Sequence, residues 1–186
     1  LFVRHVPVRA LRVTYAGELG WKLYAPSEYG EQMWEHVMAA GEECDIRPYG
    51  NGALNALRIE KVVRLWGQDL HTEHTPHEAG LGWAVDLDTD FIGKRAVAAQ
   101  ADGGEHRHQV ACLTLDDGDE TILPHRPVYD GDESVGYVHC AEYGYSIGAC
   151  VAYTYLPPEF ADPGTDVEIL YEGERYEATV REEPLT

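Results

Sequence analysis

Lysine is nearly missing from this chain. Lys22, Lys61 and Lys94 are its three lysines, and all Lys plus Arg total 14 against 33 Asp plus Glu, for a formal net charge of −19. A surface so short of cations is repelled by phosphate backbones and anionic headgroups, so nucleic acid and membrane surfaces are excluded as partners. The acid is dispersed over residues 86–90, 116–120 and 130–133 rather than gathered in a tail. Dispersed acid with scarce lysine predicts a protein soluble in concentrated salt, where repulsion is screened. That makes a cytoplasmic protein of a halophile the expectation, with an ordinary acidic cytosolic protein as the alternative.

Other absences narrow the classes further. There is no apolar run of about 18 residues, so no transmembrane helix is expected. Arg4, His5 and Arg9 interrupt residues 1–11, which excludes a signal-peptide core there. The four cysteines, Cys44, Cys112, Cys140 and Cys150, form no CxxC. Buried free thiols in a reducing compartment are the expectation, not a disulfide framework or a metal site. No GxGxxG, Walker loop, GxSxG or HExxH occurs, so flavin, nicotinamide and nucleotide sites have no signal here. The chain opens on Leu1, not Met, which suggests a piece of a longer protein.

What is present divides near residue 103. Residues 8–15 read as a strand, 17–20 as a turn and 21–24 as a short return strand. Ser27 is the expected N-cap of a helix that places Tyr29, Met33, Trp34, Val37 and Met38 on one face. A second helix is expected over 53–63, with Leu54 and Leu57 on its apolar side, then a strand over 81–85 and a short helix over 93–100. Residues 101–106 make a linker candidate. Beyond it, strands are predicted at 109–115, 126–129, 134–142, 148–155, 166–171 and 175–181, with Asp117-Gly118, Asp130-Gly131 and Glu172-Gly173 as turns. The expected fold class is therefore α+β: an α+β part over 1–103, then a small antiparallel β-barrel over 104–186.

Two clusters invite chemistry. His71, His74 and His77 have an HxxHxxH spacing with Glu73 and Glu78 nearby, but Thr75-Pro76 breaks any helix that would make the imidazoles converge. A solvated loop is expected, and no metal ligands are assigned. Arg58 and Glu60 are read as a buried, paired charge set fixing a junction.

Several motifs stand in order: TYAGELGWKL (14–23), LRIEKVVRLWGQDL (57–70), TPHEAGL (75–81) and DFIGK (90–94). Residues 134–136, 152–159 and 164–169 continue the series in the β-rich part. Together they resemble the glycine cleavage T-protein (aminomethyltransferase) family over nearly the whole chain. The wording resembles most the T-protein-like region of dimethylglycine and sarcosine dehydrogenases.

That resemblance implies tetrahydrofolate-dependent one-carbon transfer, with folate in the channel of a three-domain ring. It implies partners too: folate, a small N-methyl amine-derived substrate, and an upstream domain of the same chain that would carry FAD. The family's key aspartate would precede Leu1, so no catalytic residue is assigned and the chain alone is expected to be inactive. Carried over residue by residue, Tyr15 matches a ring able to pack on pterin. Lys22 falls where the family has a pterin-recognising glutamate, and Leu54 where it has an arginine. A carboxylate accepts from the pterin N–H groups, whereas an ammonium only donates, so Lys22 inverts that recognition. The alternative is a diverged binding or scaffold module without folate chemistry. A related methyltransferase acting on a sulfonium or methoxy compound stays open as a third reading.

Overall fold

The computed structural model describes residues 1–101, 106–115 and 121–185. The chain forms two compact units, Leu1–Arg58 and Ile59–Thr186. Most of the linker candidate, the Asp117-Gly118 turn and the acidic 116–120 stretch lie outside the described residues.

In the first unit, β1 (Phe2–Val3) pairs with β2 (Val6–Pro7), and β3 (Arg9–Leu11) pairs antiparallel with β4 (Lys22–Tyr24). The strand expected over 8–15 is thus only three residues long. Beyond Leu11 the chain turns inward on itself, with the Ala16 N–H donating to Thr14 Oγ1 at 3.0 Å. A Cβ on Gly20 would sit 2.9 Å from Thr14 Cβ, so this turn tolerates nothing larger.

Ser27 is not the N-cap. It lies inside a 3₁₀ turn, Ser27–Tyr29, and α1 (Gly30–Gly41) starts after Tyr29 without a side-chain cap. Extended Pro26 precedes the turn, and its carbonyl accepts from the Tyr29 N–H at 3.0 Å, a backbone bond that displaces the cap. Tyr29, Met33, Val37 and Met38 are half-buried, but Trp34 is 57% exposed. At the other end, a Cβ on Gly41 would meet the Ile46 side chain at 2.6 Å.

Helix α2 spans Asn51–Glu60 and carries the boundary between the units. It stops short of residue 63 because Val62 takes a left-handed φ of 61°, costly for a β-branched residue. Ala56 and Ile59 are its buried apolar positions; Leu57 is exposed and Leu54 half-buried. Arg58 and Glu60 are both buried, as the sequence suggested. The Arg58 Nε donates to Asn55 Oδ1 at 2.7 Å, and Glu60 Oε1 accepts from the Ser146 N–H at 2.8 Å.

In the second unit, the strand expected over 81–85 is a 3₁₀ turn, Gly82–Ala84. Local bonds from Ala84 N–H to Leu81 and from Val85 N–H to Gly82 use the backbone groups a strand partner would need. Helix α3 is Lys94–Ala101.

Six strands then close a barrel. They are β5 (Gln109–Leu115), β6 (Pro127–Asp130), β7 (Glu133–Gly144), β8 (Ala149–Leu156), β9 (Asp166–Tyr171) and β10 (Glu174–Arg181). The order is β10-β5-β8-β7-β6-β9 and every pair is antiparallel. The β9–β10 hairpin turns on Glu172 and Gly173, both at positive φ, as Glu-Gly predicts. The barrel is filled by Leu113, Ile122, Val128, Val138, Leu156, Ile169 and Val180.

Strand β8 is buried on both faces, which explains its sequence ACVAYTYL, apolar or aromatic but for Thr154. Outside the barrel, Val151 and Tyr153 join Cys112, Cys140 and Ile59 in a second cluster. The Tyr153 hydroxyl donates to the Ile59 carbonyl at 2.9 Å, and the Tyr155 hydroxyl to the Asp69 carbonyl at 2.8 Å. Residues 59–81 are thereby fastened over one outer wall of the barrel. Nearby, Arg64 pairs with Glu183. None of the four cysteines is in a disulfide; Cys112, Cys140 and Cys150 are buried, but Cys44 is exposed in a 3₁₀ turn rather than packed in a core.

Candidate functional site

The three residues singled out from the sequence all lie in the first unit. The β3–β4 hairpin brings two of them together: Lys22 Nζ sits 4.2 Å from the centroid of the Tyr15 ring. That cation–π contact, with both groups partly exposed, is worth about 0.5–1 kcal/mol. It places the ammonium over a ring face that would otherwise be free to stack. Leu54 sits half-buried in the first half of α2. It brings no polar atom to either residue.

The second unit holds a pocket of about 390 Å³, lined by Glu73, His74, Arg107, His108, Gly136, Tyr137, His139 and Tyr155. The outer wall of the barrel supplies its floor. Residues Val138 and Cys140 pair with Thr154 and Tyr153, and the register shifts between them. His139 is the extra residue of that β-bulge. A bulge re-aims a side chain, and here it sets an imidazole beside Cys140 on the covered outer face. His139 is only 3% exposed.

Aromatic rings build the walls. His74 stacks on Tyr155 at 3.6 Å with an interplanar angle of 2°, and Tyr137 stacks on His139 at 4.3 Å. His139 meets Tyr155 edge to face at 4.9 Å, and His108 meets His74 edge to face at 5.8 Å.

Glu78 holds this arrangement from behind. Its carboxylate is buried; Oε2 accepts from the Thr75 N–H and hydroxyl at 2.9 and 3.1 Å, and Oε1 accepts from the Arg107 and His108 N–H groups at 3.1 and 3.4 Å. One side chain thus ties the 75–78 turn to the start of β5.

The electrostatics follow from burial. Desolvation pushes His139 down to about 4, helped by its neighbour His74, against an opposing backbone bond to Gln68. His74 is also lowered, first by burial, with Glu78 opposing. Both rings are therefore uncharged at neutral pH, each able to donate from one nitrogen and accept at the other. For Glu78, burial raises the pKa, but the N–H groups of Thr75, Arg107 and His108 outweigh it and hold the carboxyl below its usual range. His74 Nδ1 is buried without a hydrogen-bond partner among the described residues.

The HxxHxxH histidines go to separate surroundings. His74 lines the pocket, the His71 Nε2 lies 2.8 Å from the Gln68 carbonyl oxygen, and His77 packs against His106. Among the described residues, no group of three or more His, Cys, Asp or Glu is placed to hold a metal ion. The sequence reading missed Tyr137, His139 and Tyr155. A signal existed: Tyr137 and His139 are alternate polar aromatics in the middle of β7, flanked by Gly136, Val138, Cys140 and Ala141.

Comparisons with known proteins bear on both places. A family model described as the GCVT N-terminal domain matches residues 1–89, and one described as the glycine cleavage T-protein C-terminal barrel domain matches residues 108–186. Mitochondrial dimethylglycine dehydrogenase of Mus musculus is 38% identical over 185 residues, 98% of this chain but 21% of that protein. An aminomethyltransferase of Thermosynechococcus vestitus is 37% identical over 175 residues, covering 89% of this chain and 46% of its own length. The crystal structure of the glycine cleavage system aminomethyltransferase T of Bartonella henselae superposes with a TM-score of 0.84 at 24% identity, over 95% of this chain and 49% of that one. That structure shares the fold. The chain thus spans under half the length of the aminomethyltransferase and about a fifth of the dehydrogenase to which it is similar.

Proposed function

The chain belongs to the glycine cleavage T-protein family, and from that premise we propose that it is the C-terminal region of a tetrahydrofolate-dependent aminomethyl-transfer protein. In this reading it is fused to a flavin-dependent N-methyl amine dehydrogenase acting on dimethylglycine or sarcosine. Residues 1–103 would form its folate-facing α+β part and residues 104–186 the barrel domain. The observation that carries the reading is the match of two T-protein family models in order along the chain, over residues 1–89 and 108–186.

The side chains fit folate only in part. The Tyr15 ring suits a flat pterin, whereas Lys22 and Leu54 offer no acceptor to the pterin N–H groups. No transfer step is therefore assigned to residues of this chain. The same two side chains support the second reading, a diverged binding or scaffold module without folate chemistry.

Titration calorimetry of the protein with tetrahydrofolate separates the two. Saturable heat and protection from unfolding support the transferase reading; no heat supports the scaffold. Lys22→Glu is expected to raise tetrahydrofolate affinity about tenfold, since a carboxylate accepting N–H bonds replaces a donor. An unchanged affinity would show that Lys22 is not the obstacle. FAD belongs to the proposed upstream domain, and flavin absorbance of the full-length protein tests that assignment. The acidic surface supports work in a salt-rich cytoplasm, for which the melting temperature should climb with KCl.

A further inference from the structure

We propose that the pocket against the barrel wall is a binding site for a small planar aromatic carboxylate, separate from the Tyr15–Lys22 position. Three features of the site combine. The first is shape and surface: about 390 Å³ is at the small end of ligand pockets, room for one or two rings. Its walls are the Tyr137, Tyr155, His74 and His139 rings, already arranged as stacked and edge-to-face pairs. A flat guest extends such a set with offset or edge contacts worth about 0.5–1.5 kcal/mol each.

The second is charge. The protein carries −19 overall, yet at this pocket the Arg107 guanidinium balances the single lining carboxylate, Glu73, and the His74 and His139 rings are uncharged. An arginine can hold a carboxylate through two parallel N–H bonds. The His74 and His108 imidazoles line the same pocket, and a ring nitrogen of each can donate. A pocket whose formal charges cancel is, in so acidic a protein, a place where an anion meets little repulsion.

The third is construction. The bulge at His139 places that ring in the floor, and Glu78 fixes the backbone of Arg107 and His108 from behind. A buried carboxylate committed to the N–H groups of two lining residues preorganises the rim, which lowers the ordering cost of binding.

Benzoate is the probe, with benzamide as its uncharged counterpart, cyclohexanecarboxylate as a non-planar anion and acetate as the anion alone. Histidine ring signals of the full chain are followed by NMR during each titration. Benzoate should move the His74, His108 and His139 signals saturably. Benzamide and cyclohexanecarboxylate should each bind about tenfold more weakly, and acetate should leave these signals unmoved. Arg107→Gln, at an exposed position, should weaken benzoate about tenfold while leaving benzamide unchanged. Tyr137→Leu should weaken both. The proposal is overturned if benzoate leaves the three histidines unmoved, if benzamide binds equally well, or if Arg107→Gln has no effect. Lys22→Glu should leave benzoate binding intact, so failure here is distinguishable from failure of the folate reading.

Discussion

Burial of His139 makes the stability of this protein fall on mild acidification. The ring is nearly inaccessible in the folded state and its pKa is depressed from 6.5 to about 4. The unfolded chain therefore binds a proton between pH 6.5 and 4 that the folded chain refuses. Stability must rise with pH across that window: it is full above about 6.5 and is lost progressively as pH falls toward 4. The drop is worth about 3 kcal/mol in all, most of it lost by about pH 4.5.

The assay is urea unfolding of the wild type and of His139→Gln at about pH 7 and about pH 4.5, extrapolated linearly to water. Gln keeps a polar side chain of similar reach but does not titrate here. Carboxylates that begin to protonate at the lower pH do so in both proteins and cancel in the difference. The wild type should lose about 2–3 kcal/mol more than the variant between the two pH values. Equal losses would refute the reasoning, as would an NMR titration placing His139 near 6.5.

Glu78→Gln should destabilise the fold by about 2 kcal/mol at neutral pH, because a carboxylate that accepts from Thr75, Arg107 and His108 becomes an amide. Since the Glu78 pKa is depressed, its contribution is present above the ordinary carboxylate value and fades as pH falls through the folded value; the wild-type and variant urea midpoints should converge there. Tyr153→Phe removes the hydroxyl that donates to the Ile59 carbonyl and leaves that carbonyl only the longer bond from the Val62 N–H at 3.3 Å. A loss of about 1 kcal/mol in thermal or urea unfolding is expected, with the barrel strands otherwise unchanged by circular dichroism.

The candidate site was legible where its parts are close in sequence. Tyr15 and Lys22 lie in one motif, and a local hairpin is enough to bring the ammonium onto the ring. Leu54 was named from the motif alone, and nothing local ties it to them. The aromatic pocket was hidden for the opposite reason. His74 stood out in HxxHxxH, but a metal-like spacing says nothing about rings contributed by β7 and β8. Ser27 and residues 81–85 misled because propensity there competes with backbone bonding: Pro26 and Leu81 carbonyls accept local N–H groups and impose 3₁₀ turns.

By itself the sequence determined what short-range physics controls. Alternating apolar residues between Gly-containing turns specified the barrel strands, two of them, β5 and β9, with the bounds found in the structure. The ordered motifs specified the family, and the missing lysines specified an acidic surface. Only the tertiary structure decided the closure order β10-β5-β8-β7-β6-β9, the bulge that presents His139, and the covering of the outer face of β8. Those depend on bonds such as Tyr153 to Ile59 and Tyr155 to Asp69, between residues 94 and 86 apart in the chain. Burial at that range sets the neutral imidazoles and the committed carboxylate. No spacing within a single motif records it, because desolvation is a property of everything packed around a group.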